Sequence, residues 1–428
     1  MKLLEEFEKT STEQWEKQIL KDLKTESLNE LVWHNDEGFD IKPFYNTPIK
    51  NFSSSIQNSE FDIIQFVPLA HSDEERNEVI IKALNGGASG IFLEIEKTTN
   101  YSVLFKNVSL PHIYTQLQLS YDASDVLDLF TDIQTDCFVN IDPIFLYEKN
   151  GTWNKDLSVL YRLKHIPING TLYHEAGGNI IQQLAFITAH LNEYLLYLET
   201  EKKLNDKKII HLTVSVGCSF FREIAKIRAL RVLVNTLCKE YHINPHIHIH
   251  AQTSLTNKSY LDIYNNLIRT STESMSAILG GANSIHIYPF DYPFKKCSDF
   301  SLRMARNQLL IHKHESFLNK VIDTSKGSYF IEHLTEQYIT LAYQKFLSIE
   351  KSNGFIHELE QKTIQNEINT SAQVAINNFN SEKSTLVGVN KYPSHTNEDI
   401  SSFYYKNEMP QSSSLFSPIR LATHFETK

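Results

Sequence analysis

Cysteine is scarce in this chain of 428 residues, which contains only four. Cys137, Cys218, Cys238 and Cys297 stand far apart and form no C-x-x-C pair. The spacing therefore predicts neither a disulfide framework nor a zinc knuckle. It favours a reducing, cytoplasmic environment.

Long apolar runs and clusters of basic residues are missing as well. No run approaches the roughly 20 apolar residues that cross a bilayer, and the acidic N-terminus MKLLEEF does not resemble a signal peptide. The formal net charge is -10, and no basic tract offers the Lys/Arg cluster that a nucleic-acid surface requires. We therefore expect neither a membrane nor a nucleic acid among the partners of this chain.

What the chain does have is a regular alternation of short apolar runs and longer helical patterns. Eight runs have the length and composition of strands, at residues 63–69, 90–95, 113–119, 137–141, 166–172, 209–216, 246–251 and 284–288. Segments between them carry apolar residues every three to four positions, as helices do. The alternation predicts an α/β fold, a (β/α)8 barrel with its functional groups at the C-terminal ends of the strands.

The flanking regions differ from the barrel in composition. Trp15, Ile19 and Leu23 form an apolar stripe in a predicted helix over 10–35, and the segment after it is rich in Gly, Pro, Asn and Ser. Helical patterns return past the barrel, and the last residues are polar and Ser-rich, which is typical of a loosely held tail. The predicted organisation is an arm (1–60), a barrel (61–330), a helical extension (331–392) and a polar tail (393–428).

Two motifs near the end of the barrel are specific because they occur together and in order. They read GGANSIH at 280–286 and FSLRMARNQ at 300–308, with IHAQTS at 249–254 before them and VGVNK at 387–391 after them. This series resembles the methylmalonyl-CoA mutase family, whose motifs read GGTQSLH and FSxRIARNTQ. The resemblance covers residues 10–392 and implies a barrel that works on acyl-CoA with adenosylcobalamin as cofactor.

The residues that carry the family's chemistry are mostly replaced. The resemblance puts Val67 at the position of a radical-gating Tyr, Gln65 at a nearby Arg, Leu172 at the His beside the thioester carbonyl, and Ile209 at a CoA-phosphate Arg. Leucine can neither donate a hydrogen bond nor transfer a proton. An aliphatic side chain cannot replace the bidentate contact between Arg and phosphate. We therefore expect this chain to lack catalytic residues.

Four polar side chains are candidates for a residual pocket: His174, Gln252, Asn283 and His286. His174 follows Leu172 by two positions, and Asn283 stands where the family has Gln. The alternative is that all four only hold strand ends and loops together.

The cofactor and partner expectations also follow from the resemblance. The cobalt-ligating motif D-x-H-x-x-G is absent, and the segment after residue 392 is shorter than a flavodoxin-like cobalamin domain. We expect no cofactor or metal on this chain alone. The resemblance implies the small, non-catalytic subunit of a heterodimeric mutase that interconverts methylmalonyl-CoA and succinyl-CoA. Its partner would be a catalytic subunit that carries adenosylcobalamin and that the arm wraps; an acyl-CoA is the other candidate ligand.

Two further functions stay open on the sequence. One is an active acyl-CoA mutase barrel that works with a separate cobalamin-binding chain. The other is a metal-dependent hydrolase, because His246, His248 and His250 share one face of a strand by period-two alternation. A hydrolase of that kind would need further His and Asp ligands from other strands.

Overall fold

Eight parallel strands form the centre of the computed structural model, which describes residues 10–46, 56, 58–69, 72–119, 121, 126–127, 130, 137–153, 155–292, 294–393 and 414–426. The strands are β1 (Asp62–Val67), β2 (Gly90–Ile95), β3 (Tyr114–Leu119), β4 (Cys137–Asn140), β5 (His165–Asn169), β6 (Ile209–Val216), β7 (His246–Thr253) and β8 (Ser284–His286). Parallel pairing runs in the order β4-β3-β2-β1-β8-β7-β6-β5. Because β1 pairs with β8, the sheet curls into the predicted (β/α)8 barrel, and the fold class is confirmed.

Side chains join the two ends of this sheet, β4 and β5. His165 Nε2 lies 3.0 Å from Asn140 Oδ1, and Asp142 Oδ2 accepts a hydrogen bond from the Asn169 backbone N–H at 2.7 Å. The hydroxyl of Tyr194 donates to the other carboxylate oxygen of Asp142 at 2.5 Å. All these groups are buried, where hydrogen bonds are stronger than in water. They hold the seam that backbone pairing leaves between the two strands.

Helices surround the barrel and connect its strands. The longer ones are α1 (Thr12–Leu23), α2 (Asp73–Asn85), α3 (Ile180–Thr200), α4 (Phe220–Glu240), α5 (Asn265–Gly280), α6 (Asp299–His314), α7 (Tyr329–Lys351) and α8 (Thr363–Asn380). Short helical segments are Asn29–Leu31, Tyr101–Leu104, Leu110–His112, Pro143–Asn150, Val159–Arg162, Thr171–Glu175, Leu204–Asp206, Phe355–Glu360 and Thr423–Glu426. Polar caps fix several starts, since Ser72, Asn179 and Ser298 each accept a hydrogen bond from the first turn of α2, α3 or α6. No described helix is long and apolar enough to cross a membrane.

The core has two layers because successive residues of a strand face opposite sides of the sheet. Ile63 and Val67 of β1 belong to the larger layer, between the sheet and the helices. Ile64 and Phe66 of the same strand face the barrel lumen, where they join a smaller aromatic cluster. The side chains of the inner layer determine whether a ligand can enter the barrel lumen.

The predicted helix over 10–35 is shorter than expected. α1 ends at Leu23 because Lys24 takes a left-handed conformation with φ 53° that stops the helix. None of the residues of α1 is buried. Beyond it, Trp33–His34 pairs antiparallel with Asp40–Ile41.

The hairpin of the arm packs on the chain's own helices. Glu37 is buried, and its carboxylate accepts hydrogen bonds from the Ile180 backbone N–H at 2.9 Å and the Tyr338 hydroxyl at 2.8 Å. Arg222 Nη2 lies 2.7 Å from the same carboxylate. The sequence predicts an arm that wraps a partner, whereas this part of it is a brace between α3, α4 and α7.

The end of the chain also differs from the expected loose tail. Phe416 is 2% exposed and packs edge-on against Tyr173, with ring centroids 5.9 Å apart. The Ile419 backbone N–H donates to Glu175 O at 2.8 Å, and the Leu421 N–H donates to Thr256 O at 2.9 Å. Residues 414–426 are therefore anchored over the loops that follow β5 and β7. The composition of this segment did not predict its anchoring, because the segment is mainly polar and is held by a few apolar contacts and backbone hydrogen bonds. The remaining parts of the predicted tail, 394–413 and 427–428, lie outside the described residues.

Candidate functional site

Aromatic and imidazole rings fill the barrel lumen. These lumen rings are Phe66, Phe92, Tyr114, Phe138, His165, His211, His248, His250, His286 and Tyr288, all buried. Ring centroids are 4.5 Å apart between Phe92 and His286, and 4.3 Å apart between Phe138 and His211. Rings at such distances are in van der Waals contact. The lumen rings therefore close the axial path through the described barrel.

Hydrogen bonds fix the imidazoles within this packing. His250 Nε2 lies 2.8 Å from His286 Nδ1, and His250 Nδ1 and His248 Nε2 each lie 2.8 Å from Ser284 Oγ. His246, the first of the three alternating histidines, is exposed at the start of β7. Among the described residues, no group of three His, Cys, Asp or Glu side chains could hold a metal ion. The alternation on β7 places His248 and His250 in the lumen, where their nitrogens bind protein groups.

The imidazoles of the lumen are neutral near pH 7. Burial lowers the pKa of His286 to about 3. Burial, assisted by neighbouring positive groups, lowers the pKa of His248 to about 3 as well. A group with so low a pKa is a poor base at neutral pH, so packing rather than proton transfer is the role that these rings can perform.

Three of the four positions that replace the family's chemical residues are apolar and packed. Val67 faces the helices rather than the lumen, within the larger core layer. Leu172 lies in the short helix Thr171–Glu175 and packs against that same layer. Ile209 starts β6 and packs against the lumen cluster.

The strand predicted over 166–172 ends earlier, at Asn169. Its side-chain oxygen accepts hydrogen bonds from the Thr171 N–H at 3.1 Å and the Thr171 hydroxyl at 2.6 Å. A bond of this kind from Asn to the residue two positions later is typical of a turn. Leu172 therefore follows the turn and does not stand at the strand end.

The structure does not bring all four residual-pocket candidates together. Gln252 and His286 are opposite each other on β7 and β8 and face the lumen. Asn283 precedes β8 at the other end of the barrel, where its side-chain oxygen accepts hydrogen bonds from Arg231 Nη2 and the Ile249 N–H, both at 2.9 Å. Arg231 thus fixes the loop before β8. The Asn283 side chain holds this loop in place, which agrees with the alternative that the candidates only stabilise strand ends and loops.

His174 belongs to a polar cluster at the C-terminal ends of the strands. Its Nε2 lies 2.8 Å from Ser254 Oγ. Next to it, the Glu175 carboxylate accepts a hydrogen bond from the Leu255 N–H at 3.1 Å, and burial raises the pKa of Glu175 to about 7. The cluster is held by Ser254 and Leu255, both on the loop after β7.

Sequence reasoning missed the buried charges beside this cluster. Lys226 Nζ lies 2.5 Å from Glu223 Oε2 and donates to Ser215 O at 2.6 Å. Lys258 Nζ lies 2.8 Å from Glu273 Oε1. The signal that could have found the first pair is charge at i and i+3 on the apolar face of α4. Each ammonium group has a carboxylate partner, so these charges are internally compensated.

The last described segment covers this face of the barrel. Arg420 Nη2 donates to Lys258 O at 3.2 Å and to the Glu426 carboxylate at 2.5 Å, and its guanidinium lies 4.6 Å from the Phe294 ring centroid. With the backbone contacts of residues 419 and 421, this places a strap across the loops after β5 and β7. A ligand approaching from that side would meet the strap first.

Comparison with known proteins finds several methylmalonyl-CoA mutases among the relatives of this chain. The family model for methylmalonyl-CoA mutase matches residues 157–415. The chain is 31% identical over 447 residues to a methylmalonyl-CoA mutase small subunit from Porphyromonas gingivalis, covering 92% of this chain and 72% of the relative. It is 26% identical to a methylmalonyl-CoA mutase from Rhizobium meliloti, covering 88% and 63%. A methylmalonyl-CoA mutase large subunit from Propionibacterium freudenreichii subsp. shermanii is 32% identical over 53% of this chain and 32% of its own length. The chain therefore spans less than two thirds of these last two relatives.

Proposed function

This chain belongs to the methylmalonyl-CoA mutase family, and we propose that it is the small, non-catalytic subunit of a heterodimeric mutase. In this proposal the partner chain carries adenosylcobalamin and interconverts methylmalonyl-CoA and succinyl-CoA, while this chain supplies contact surface and stability. The packing of the lumen rings is the observation that carries the proposal.

A barrel that acts on an acyl-CoA along its axis needs an open lumen and polar groups beside the thioester. Here Phe92 and His286 are in contact in the lumen, Val67 is a core residue, and the half-buried Leu172 packs against the same core. Positioning and oriented dipoles supply much of the rate enhancement of enzymes, and both are missing at these positions. The same observations disfavour an active barrel that borrows a separate cobalamin-binding chain.

The described residues do not fit adenosylcobalamin either. The sequence has no D-x-H-x-x-G motif. The face over β5 and β7, where the chain has its polar cluster, is covered by residues 414–426. His174 there is bonded to Ser254. We therefore assign no step on this chain to the cofactor.

One surface available to a partner is α1. Its stripe includes Leu23, which is 52% exposed, and the half-buried Trp15 and Ile19. Trp15 packs on Phe44 with ring centroids 4.9 Å apart, which ties the helix to the arm but leaves its outer face open. A partly exposed apolar stripe on a surface helix is typical of an interface. We assign this helix to contact with the catalytic chain.

Affinity purification from the native host tests the assignment. The tagged chain should retain a catalytic methylmalonyl-CoA mutase chain in equal amount, identified by mass spectrometry and quantified on a sizing column. Recovery of the tagged chain without a mutase chain, in extracts where that chain is present, would contradict the heterodimer.

A further inference from the structure

A cavity of about 430 Å³ lies outside the barrel, between α2 and α6. The side chains that matter for its chemistry are Gln65, Lys82, Asp299, Phe300, Arg303 and Arg306. Its volume falls in the range of roughly 300–1,000 Å³ that small-molecule sites occupy. The cavity is separate from the lumen, because Gln65 points from β1 towards the helices.

Arg306 is held at the wall of this cavity by neutral groups. Its Nε donates to Gly86 O at 3.0 Å, and its Nη1 donates to Gln65 Oε1 at 2.9 Å. A Cβ at Gly86 would lie 2.6 Å from Arg306 Nη2, so glycine leaves the room that the guanidinium needs. The guanidinium is thus fixed in place before any ligand arrives, which lowers the entropic cost of binding.

The positive charge of the cavity is only partly compensated. No described carboxylate lies within ion-pair distance of Arg303 or Arg306, while Lys82 Nζ is paired with Asp299 Oδ2 at 2.9 Å. Burial and the neighbouring Arg303 lower the pKa of Arg306. Two guanidinium groups therefore face one cavity on a chain whose net charge is -10. A guanidinium group binds phosphate oxygens through its paired N–H donors.

Phe300 provides an apolar surface beside these charges. The ring is 48% exposed and contacts Phe290 edge-on at a centroid distance of 6.1 Å. The Arg303 guanidinium lies 5.9 Å from the Phe300 centroid. An exposed aromatic ring next to guanidinium groups is the combination on which nucleobases stack.

We propose that this cavity binds a nucleoside monophosphate, with its phosphate on Arg303 and Arg306 and its base against Phe300. Asp299 then limits affinity, because its carboxylate stands at the rim of an anion site. The site lies on the outer surface of the barrel, so it is independent of the proposed subunit role.

Isothermal titration of the full chain with AMP, GMP, ribose 5-phosphate and inorganic phosphate tests the proposal. A nucleotide should bind in a 1:1 ratio and more tightly than ribose 5-phosphate, and Phe300→Ala should remove that difference. Arg303→Gln should weaken nucleotide binding about tenfold, as the loss of one charged hydrogen-bonded contact predicts. Asp299→Asn should tighten it, and the exposed Lys326→Gln should leave it unchanged.

The two opposite shifts make the test decisive. The side chains of Arg303 and Asp299 are exposed, so their replacement should not disturb the core. As a control, each variant should unfold thermally at the same temperature as the wild type. The proposal is overturned if nucleotides bind no better than inorganic phosphate, if no ligand binds, or if both variants shift affinity in the same direction.

Discussion

His286 lies in the middle of the lumen, and its replacement by glutamine should make the chain less sensitive to acid. The imidazole is 0% exposed, with Nδ1 2.8 Å from His250 Nε2 and its ring 4.5 Å from Phe92. Burial lowers its pKa from 6.5 to about 3. The folded chain thus keeps the ring neutral in weak acid, whereas the unfolded chain protonates it.

The sign and size of the effect follow from this difference. Between pH 6.5 and pH 3 the unfolded state binds more protons, so the free energy of unfolding falls as pH falls. From pH 7 to pH 5 this one ring should cost about 2 kcal/mol, because one pKa unit corresponds to about 1.4 kcal/mol. Glutamine does not titrate, and the variant loses this contribution even though lost packing makes it less stable at pH 7.

Urea unfolding followed by circular dichroism, at pH 7 and at pH 5, measures the effect. The decrease in the free energy of unfolding between the two pH values should be smaller by about 2 kcal/mol in His286→Gln than in the wild type. The exposed His314→Gln is the matched control and should keep the wild-type decrease. An equal decrease in all three proteins would contradict the burial of His286, because the imidazole would then titrate as in water and the lumen would be open.

Three further changes test the hairpin of the arm, the helix α1 and the filled lumen. Glu37→Gln should lower the free energy of unfolding in urea by about 3 kcal/mol, because it leaves the half-buried guanidinium of Arg222 without its carboxylate partner. The control variant, the exposed Glu30→Gln, should change the free energy of unfolding by less than about 0.5 kcal/mol. Equal effects of the two variants would mean that the arm is not a brace. Deleting residues 1–25 should leave thermal unfolding nearly unchanged but reduce co-purification with the catalytic chain, and undiminished co-purification would remove α1 from the interface. The double variant Leu172→His and Val67→Tyr, assayed with an isolated cobalamin-binding domain, should show no isomerisation of methylmalonyl-CoA, because both positions are packed away from the filled lumen; turnover would show an accessible pocket.

The barrel could be predicted because each strand carries its own local signal. The apolar run in Gly90–Ile95 and the period-two alternation of His248 and His250 both specify a strand without reference to any distant residue. The hydroxyl cap at Ser298 likewise marks the start of α6 within three residues. Such local signals do not depend on contacts with distant segments of the chain.

The site could not be predicted to the same degree because it depends on contacts between distant segments. Asn283 reads as a pocket residue by its place in a motif, but its partner Arg231 is 52 residues away on α4. Leu172 reads as a strand end until the turn at Asn169 is seen. Phe416 sits in a polar segment, and only the fold shows that it is buried against Tyr173.

The mutase activity of the purified chain shows whether its barrel is catalytic. Conversion of methylmalonyl-CoA to succinyl-CoA should be measured with this chain, adenosylcobalamin and an isolated cobalamin-binding domain, and again after the catalytic partner chain is added. We expect no product in the first mixture and activity only in the second. Product formed before the catalytic chain is added would contradict the claim that this barrel is non-catalytic.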